Sequence, residues 1–99
     1  MNDKKIAHML KNSSQKGLCA LIEKYRGLVG AIVSRILPGC EEDIEECIAD
    51  TFLSVWEHRT RLDPGRDTLK SYTACVARNM AIDRYRKLSK VKTIPNDTH

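Results

Sequence analysis

The chain has 99 residues, 41% of them hydrophobic and 30% charged, which suits one small folded domain and argues against wholesale disorder. No apolar run approaches the roughly 20 residues of a membrane span, and no signal pattern opens the chain, so a cytoplasmic location with no membrane partner is expected. The net charge of +4 hides a segregation: Glu41 to Asp50 holds Glu41, Glu42, Asp43, Glu45, Glu46 and Asp50 with no basic residue, whereas Glu57 to Lys92 holds ten basic residues. An acidic patch beside a basic half suits two partners of opposite charge, one of them a polyanion.

Taken in order, Asp3 to Lys11 reads as a short helical arm, and Asn12-Ser13-Ser14 as a break with a built-in cap for the next helix. Leu18, Leu21, Ile22, Tyr25, Leu28, Val29, Ile32, Val33, Ile36 and Leu37 recur at three- and four-residue steps, an amphipathic helix that Pro38-Gly39 ends. A second helix starts near Glu41, where an acidic first turn complements the helix dipole. Its inner stripe is Ile44, Cys47, Ile48, Thr51, Phe52, Val55 and Trp56, and it fades by Arg59 or Thr60. Asp63-Pro64-Gly65 is turn chemistry, and Asp67 or Thr68 caps a third long helix running to about Leu88. Ser89 to His99 is polar and expected to fray. Strand signals are weak throughout. The fold class is therefore all-α: a compact bundle of three main helices plus the short arm, with residues 1–12 as the arm, 13–90 as the domain and 91–99 as the start of a linker.

Cys19, Cys40, Cys47 and Cys75 form no closely spaced pair, and His8, His58 and His99 are scattered, so reduced cysteines without a metal or other cofactor are expected. No nucleophile–base pair or phosphate-cradling loop suggests an enzyme. On a wheel the third helix is apolar over most of its circumference, with Met80, Ala81, Ile82 and Tyr85 as a buried frame. A narrow polar stripe remains: Tyr72, Asn79 and Arg86, spaced i, i+7, i+14, with Asp83 alongside. Phenol, amide and guanidinium are groups that stack on bases, read base edges and hold phosphates. Arg84, Lys87 and Lys90 extend the charge, and Arg59, Arg61, Arg66 and Lys70 add more just before the helix. The competing reading is a solvated face with Asp83 paired to Asn79 or Arg86. A purely protein-binding helical module or a helix-turn-helix reader of duplex DNA would also be all-helical; the loop after Arg59 is long and basic for the latter.

Three segments carry a resemblance: LIEKYRGLVGAIVSRIL, EEDIEECIADTFLSVWEH and LDPGRDTLKSYTACVARNMAIDRYRK. Their order and spacing resemble region 2 of bacterial sigma factors of the sigma-70 family, in the extracytoplasmic-function group. The resemblance implies a transcription initiation domain whose second-helix segment, Glu42 to Trp56, docks on the β′ clamp coiled coil of core RNA polymerase through Asp43, Glu46, Asp50 and Leu53. The family usually has Gln-Glu before the Thr-Phe pair; here Ala49-Asp50 precede Thr51-Phe52. It further implies that the loop Thr60 to Leu69 helps form a pocket for a flipped non-template base of the promoter minus-ten element. Tyr72 and Asn79 then fall where bases are met, and Arg78 with the later basic residues, Arg86 and Lys87 among them, near phosphates. Primary sigma factors carry two tryptophans where this chain has Cys75 and Val76, which implies weaker melting. An anti-sigma factor is a further partner by family analogy, and a second domain for the minus-thirty-five element is expected in a longer parent chain.

Overall fold

The computed structural model describes residues 1–63 and 68–97, with side chains through Lys90. Four helices, α1 (Asp3–Lys11), α2 (Gln15–Ile36), α3 (Glu41–Glu57) and α4 (Leu69–Asp97), and a 3-10 turn at Arg59–Arg61 make up the regular structure among these residues. The caps at Ser14 and Thr68 are those expected, and Asn2 adds one to α1. Asn2 accepts from the Lys5 amide at 2.8 Å, Ser14 from the Gly17 amide at 3.4 Å, and Thr68 from the Ser71 amide at 3.2 Å. Gly39 closes α2 with a φ of +79°, a left-handed conformation that costs glycine nothing.

Leu21, Tyr25, Val29 and Val33 line the inner face of α2 at four-residue steps, and Leu37 just past its end continues the row. They meet Ile44, Cys47, Phe52 and Val55 of α3 and the seam Leu69, Thr73, Ala77 and Ala81 of α4. The small residues in that seam let α4 approach both neighbours closely. Helix α1 packs onto the same core: Ile6 and Leu10 are fully buried, and Gly17 allows the contact, since a Cβ there would lie 2.8 Å from that of Met9.

Two expectations about α4 need correction. The helix runs to Asp97, not to about Leu88, because no glycine or proline interrupts the chain between Leu69 and Ile94. The buried frame is also narrower than the wheel suggests. Ala81 is buried, Met80 and Ile82 are half-buried, and Tyr85 is 54% exposed. At that level α4 borders the turn after α2 and the first turns of α3 on one side, and its other side faces solvent.

Candidate nucleic-acid and partner interfaces

The side of α4 opposite the Leu69–Thr73–Ala77–Ala81 seam carries Ser71, Cys75, Arg78, Asn79 and Arg86, all exposed. Asn79 donates through Nδ2 to Cys75 Sγ at 3.6 Å, a weak bond that leaves the amide oxygen for other donors. Asp83 pairs with neither Asn79 nor Arg86; its carboxylate takes Lys87 at 3.1 Å, one turn on. Arg78 and Arg86 are ion-paired to no described residue, so their charge faces solvent.

Upstream, half-buried Tyr72 forms one wall of a small pocket of about 40 Å³, shared with Ala7, Arg61, Leu62, Asp63, Thr68 and Leu69. Arg61 and Lys70 are exposed beside it. Arg66, the remaining basic residue of the loop, lies outside the described residues, as do Pro64, Gly65 and Asp67 of the expected turn and cap. Arg59 differs from the other basic residues around the loop. Its guanidinium stacks on the Trp56 ring at 4.3 Å and donates to the Trp56 carbonyl at 2.9 Å and to Ser13 Oγ at 3.1 Å. This half-buried side chain ties the α1–α2 turn to the end of α3.

On α3 the carboxylates of Asp43, Glu46 and Asp50 follow at i, i+3 and i+7, so they share one face. Arg84 of α4 reaches all of them: Nη1 lies 3.0 Å from Asp43 and 3.0 Å from Glu46, and Nη2 lies 3.6 Å from Asp50. Partial burial opposes the Arg84 charge, but the bond to Glu46 and the charges of Glu46, Asp43 and Asp50 outweigh it and push its pKa up. Arg84, expected among the basic residues trailing off the third helix, is thus the internal counter-ion of the acidic patch. Beneath it, burial raises the Cys47 thiol, with Arg84 opposing and Asp50 and Asp43 adding, so the sulfur stays protonated. Leu53 is 53% exposed and stands between two grooves. One, of about 360 Å³, is floored by Leu18, Ile22, Ile48, Phe52 and Trp56 between α2 and α3. The other, of about 680 Å³, lies between α3 and α4 over Cys47 and Met80.

A model of sigma-70 region 2 matches residues 21–91. The chain belongs to the sigma-70 region 2 family. It is a transcription-factor domain of the kind that serves promoter recognition. Among solved structures it is similar to an engineered region 2 of sigmaE, determined by NMR in complex with GTAAAA. The TM-score is 0.80 at 19% identity, covering 91% of this chain and 92% of that one, so the two share the fold. No curated protein matches the sequence. No described helix is long and apolar enough to cross a membrane.

The sequence did not flag Arg84 as a counter-ion, Arg59 as a tie or Ala7 as a pocket wall. The i, i+3, i+7 acids of α3 were a usable signal for the first. The other two depend on where α1 docks, which no local pattern encodes.

Proposed function

We propose that this sigma region 2 domain, of extracytoplasmic-function type, binds core RNA polymerase and recognises and melts the promoter minus-ten element, holding its non-template strand along α4. The observation that carries the reading is the exposed stripe Asn79–Arg86 on the solvent side of α4, leading back through Tyr72 to the pocket at Arg61, Asp63 and Thr68. In it, Asn79 reads a base edge, Tyr72 stacks at the pocket rim, and Arg61, Lys70, Arg78, Arg86 and Lys87 hold phosphates. Extruding a base costs a few kcal/mol of stacking, which is least where the pairs are weak. A pocket of about 40 Å³ is smaller than a base, so capture requires its walls to part. Cys75 and Val76 supply no aromatic wedge, which supports a domain that depends on promoter sequence for opening.

The second face is α3. Asp43, Glu46 and Asp50, preset by Arg84, and the apolar step at Leu53 make a surface suited to the basic β′ clamp coiled coil. An anti-sigma factor belongs to the same reading as a partner that covers one or both faces.

Anisotropy titrations with A/T-rich single strands and the matching duplex test the nucleic-acid part. Single strand should bind more tightly than duplex. Asn79→Ala should lose about 1–3 kcal/mol of discrimination between sequences. Arg86→Ala should weaken all sequences alike and lower the salt dependence. Equal binding of duplex and single strand, with Asn79→Ala silent, would sink the proposal. A pull-down with the β′ coiled coil, lost on Asp50→Lys, tests the partner face.

A further inference from the structure

The family match begins at residue 21, so α1 lies outside it. At 100° per residue, Ile6 and Leu10 point into the core, with Met9 on one flank and Ala7 on the other. The Met9 flank faces α2, where Gly17 approaches it. The Ala7 flank faces the 3-10 turn and α4, because Ala7 lines the pocket with Arg61, Thr68 and Tyr72. Lys4 and Lys11, three residues before and four after Ala7, occupy the next strip outward, beside the pocket mouth and about 10 Å apart along the axis. Both are exposed and ion-paired to no described residue.

Both ends of α1 are fixed. At the Lys11 end, Ser13 Oγ accepts from Arg59. At the other, Asp3 takes Lys24 at 2.6 Å and the Tyr25 hydroxyl, and it also feels the charge of Lys70 on α4. Asp3 is the sole acidic residue of α1, and these partners neutralise it. The lysine strip therefore adds positive charge to the side of the pocket where Arg61 and Lys70 are exposed, with Asp63 the acidic residue among the pocket's lining. Exposed lysines on a helix are ordinarily a solvated face. These are distinguished by lying along the rim of a pocket on a helix held rigid at both ends.

We infer that α1 extends the nucleic-acid site: the single strand leaving the pocket crosses α1, with Lys4 and Lys11 holding its phosphates. This rests on the reading of the α4 stripe and pocket as a single-strand site. The test uses the full chain and two A/T-rich single strands, one of about six nucleotides and one of about twelve. For Lys4→Ala/Lys11→Ala, the plot of log affinity against log salt for the longer strand should flatten by about 1.4, or about 0.7 per lost phosphate contact. Equivalently, the wild-type advantage should shrink about sevenfold between about 50 and about 200 mM salt. Binding of the shorter strand should be unchanged, and Lys5→Ala, on the other side of the helix, should be silent. An unchanged slope in a double variant of native circular dichroism overturns the inference, as does an equal effect of Lys5→Ala. If wild type binds neither strand, the stripe reading itself fails and this inference falls with it.

Discussion

Thr73 and Arg84 lie on the same side of α4, about three turns apart, and illustrate opposite outcomes for a polar group drawn out of water. The Thr73 hydroxyl is fully buried and bonds to no described group. An unsatisfied hydroxyl costs about 1–3 kcal/mol, so Thr73→Val, which keeps the shape and removes the polar atom, should stabilise the domain. About 1 kcal/mol would raise Tm by about 4–8 °C in a scanning experiment. Thr51, by contrast, donates to the Cys47 carbonyl at 2.8 Å, and Thr51→Val should give no such gain. Arg84→Gln leaves Asp43, Glu46 and Asp50 without their shared cation. Because Glu46 and Asp50 are more than half exposed, solvent screens much of the repulsion, and the loss should be about 1 kcal/mol. Added salt should recover most of it, as denaturant titrations at low and high ionic strength would show. Beyond the spacing of the α3 acids, none of this was legible residue by residue. A period of 3.6 locates a face, but which helix covers it depends on the docking of α3 against α4.

Elements were the best-read level. The bounds of α1, the caps at Ser14 and Thr68 and the stop at Pro38-Gly39 follow from local chemistry, and local chemistry is what a sequence displays. The core stripes of α2 and α3 were legible for the same reason. Less legible was the integration of α1, whose nine residues include only Ile6, Ala7 and Leu10 as buried contacts. Its seating depends on Gly17, and Gly17→Ala should destabilise the domain by about 1–3 kcal/mol through forced separation of α1 and α2, although alanine favours helix in isolation. The Asp3 tether adds a pH signature. Burial tends to raise the Asp3 pKa, but the bonds from Lys24 and Tyr25 and the charges of Lys24 and Lys70 outweigh it and lower it below the ordinary 3.8. A lowered folded-state pKa stabilises above the unfolded value and is lost as pH falls through the folded one. The stability gap between wild type and Asp3→Asn should therefore be open at about pH 7 and close as pH drops below about 4. Burial, then the bond to Asp3 and its charge, push the Tyr25 phenol up to about 12. That contribution holds below the ordinary value of 10.0 and fades as pH rises through about 12.

At the scale of the molecule, the charge segregation visible in the sequence becomes two faces joined by one guanidinium. The acidic face on α3 is held by Arg84, a residue of the helix whose opposite side carries Asn79 and Arg86. The sequence suggested two partners of opposite charge. It did not show that α4 contributes to both faces, because that follows from the crossing of α3 and α4. On the proposed function, a single strand and a polymerase coiled coil occupy these separate faces at once. Amide chemical-shift mapping of the labelled domain, titrated with an A/T-rich single strand and then with the β′ coiled coil, tests this directly. A first set of shifts should appear around Arg61, Tyr72, Cys75, Asn79 and Arg86. A second, additive set should follow around Glu46, Asp50 and Leu53, with the first retained. Shifts from the strand centred on the outer face of α3, or loss of the strand's shifts when the coiled coil is added, would contradict it.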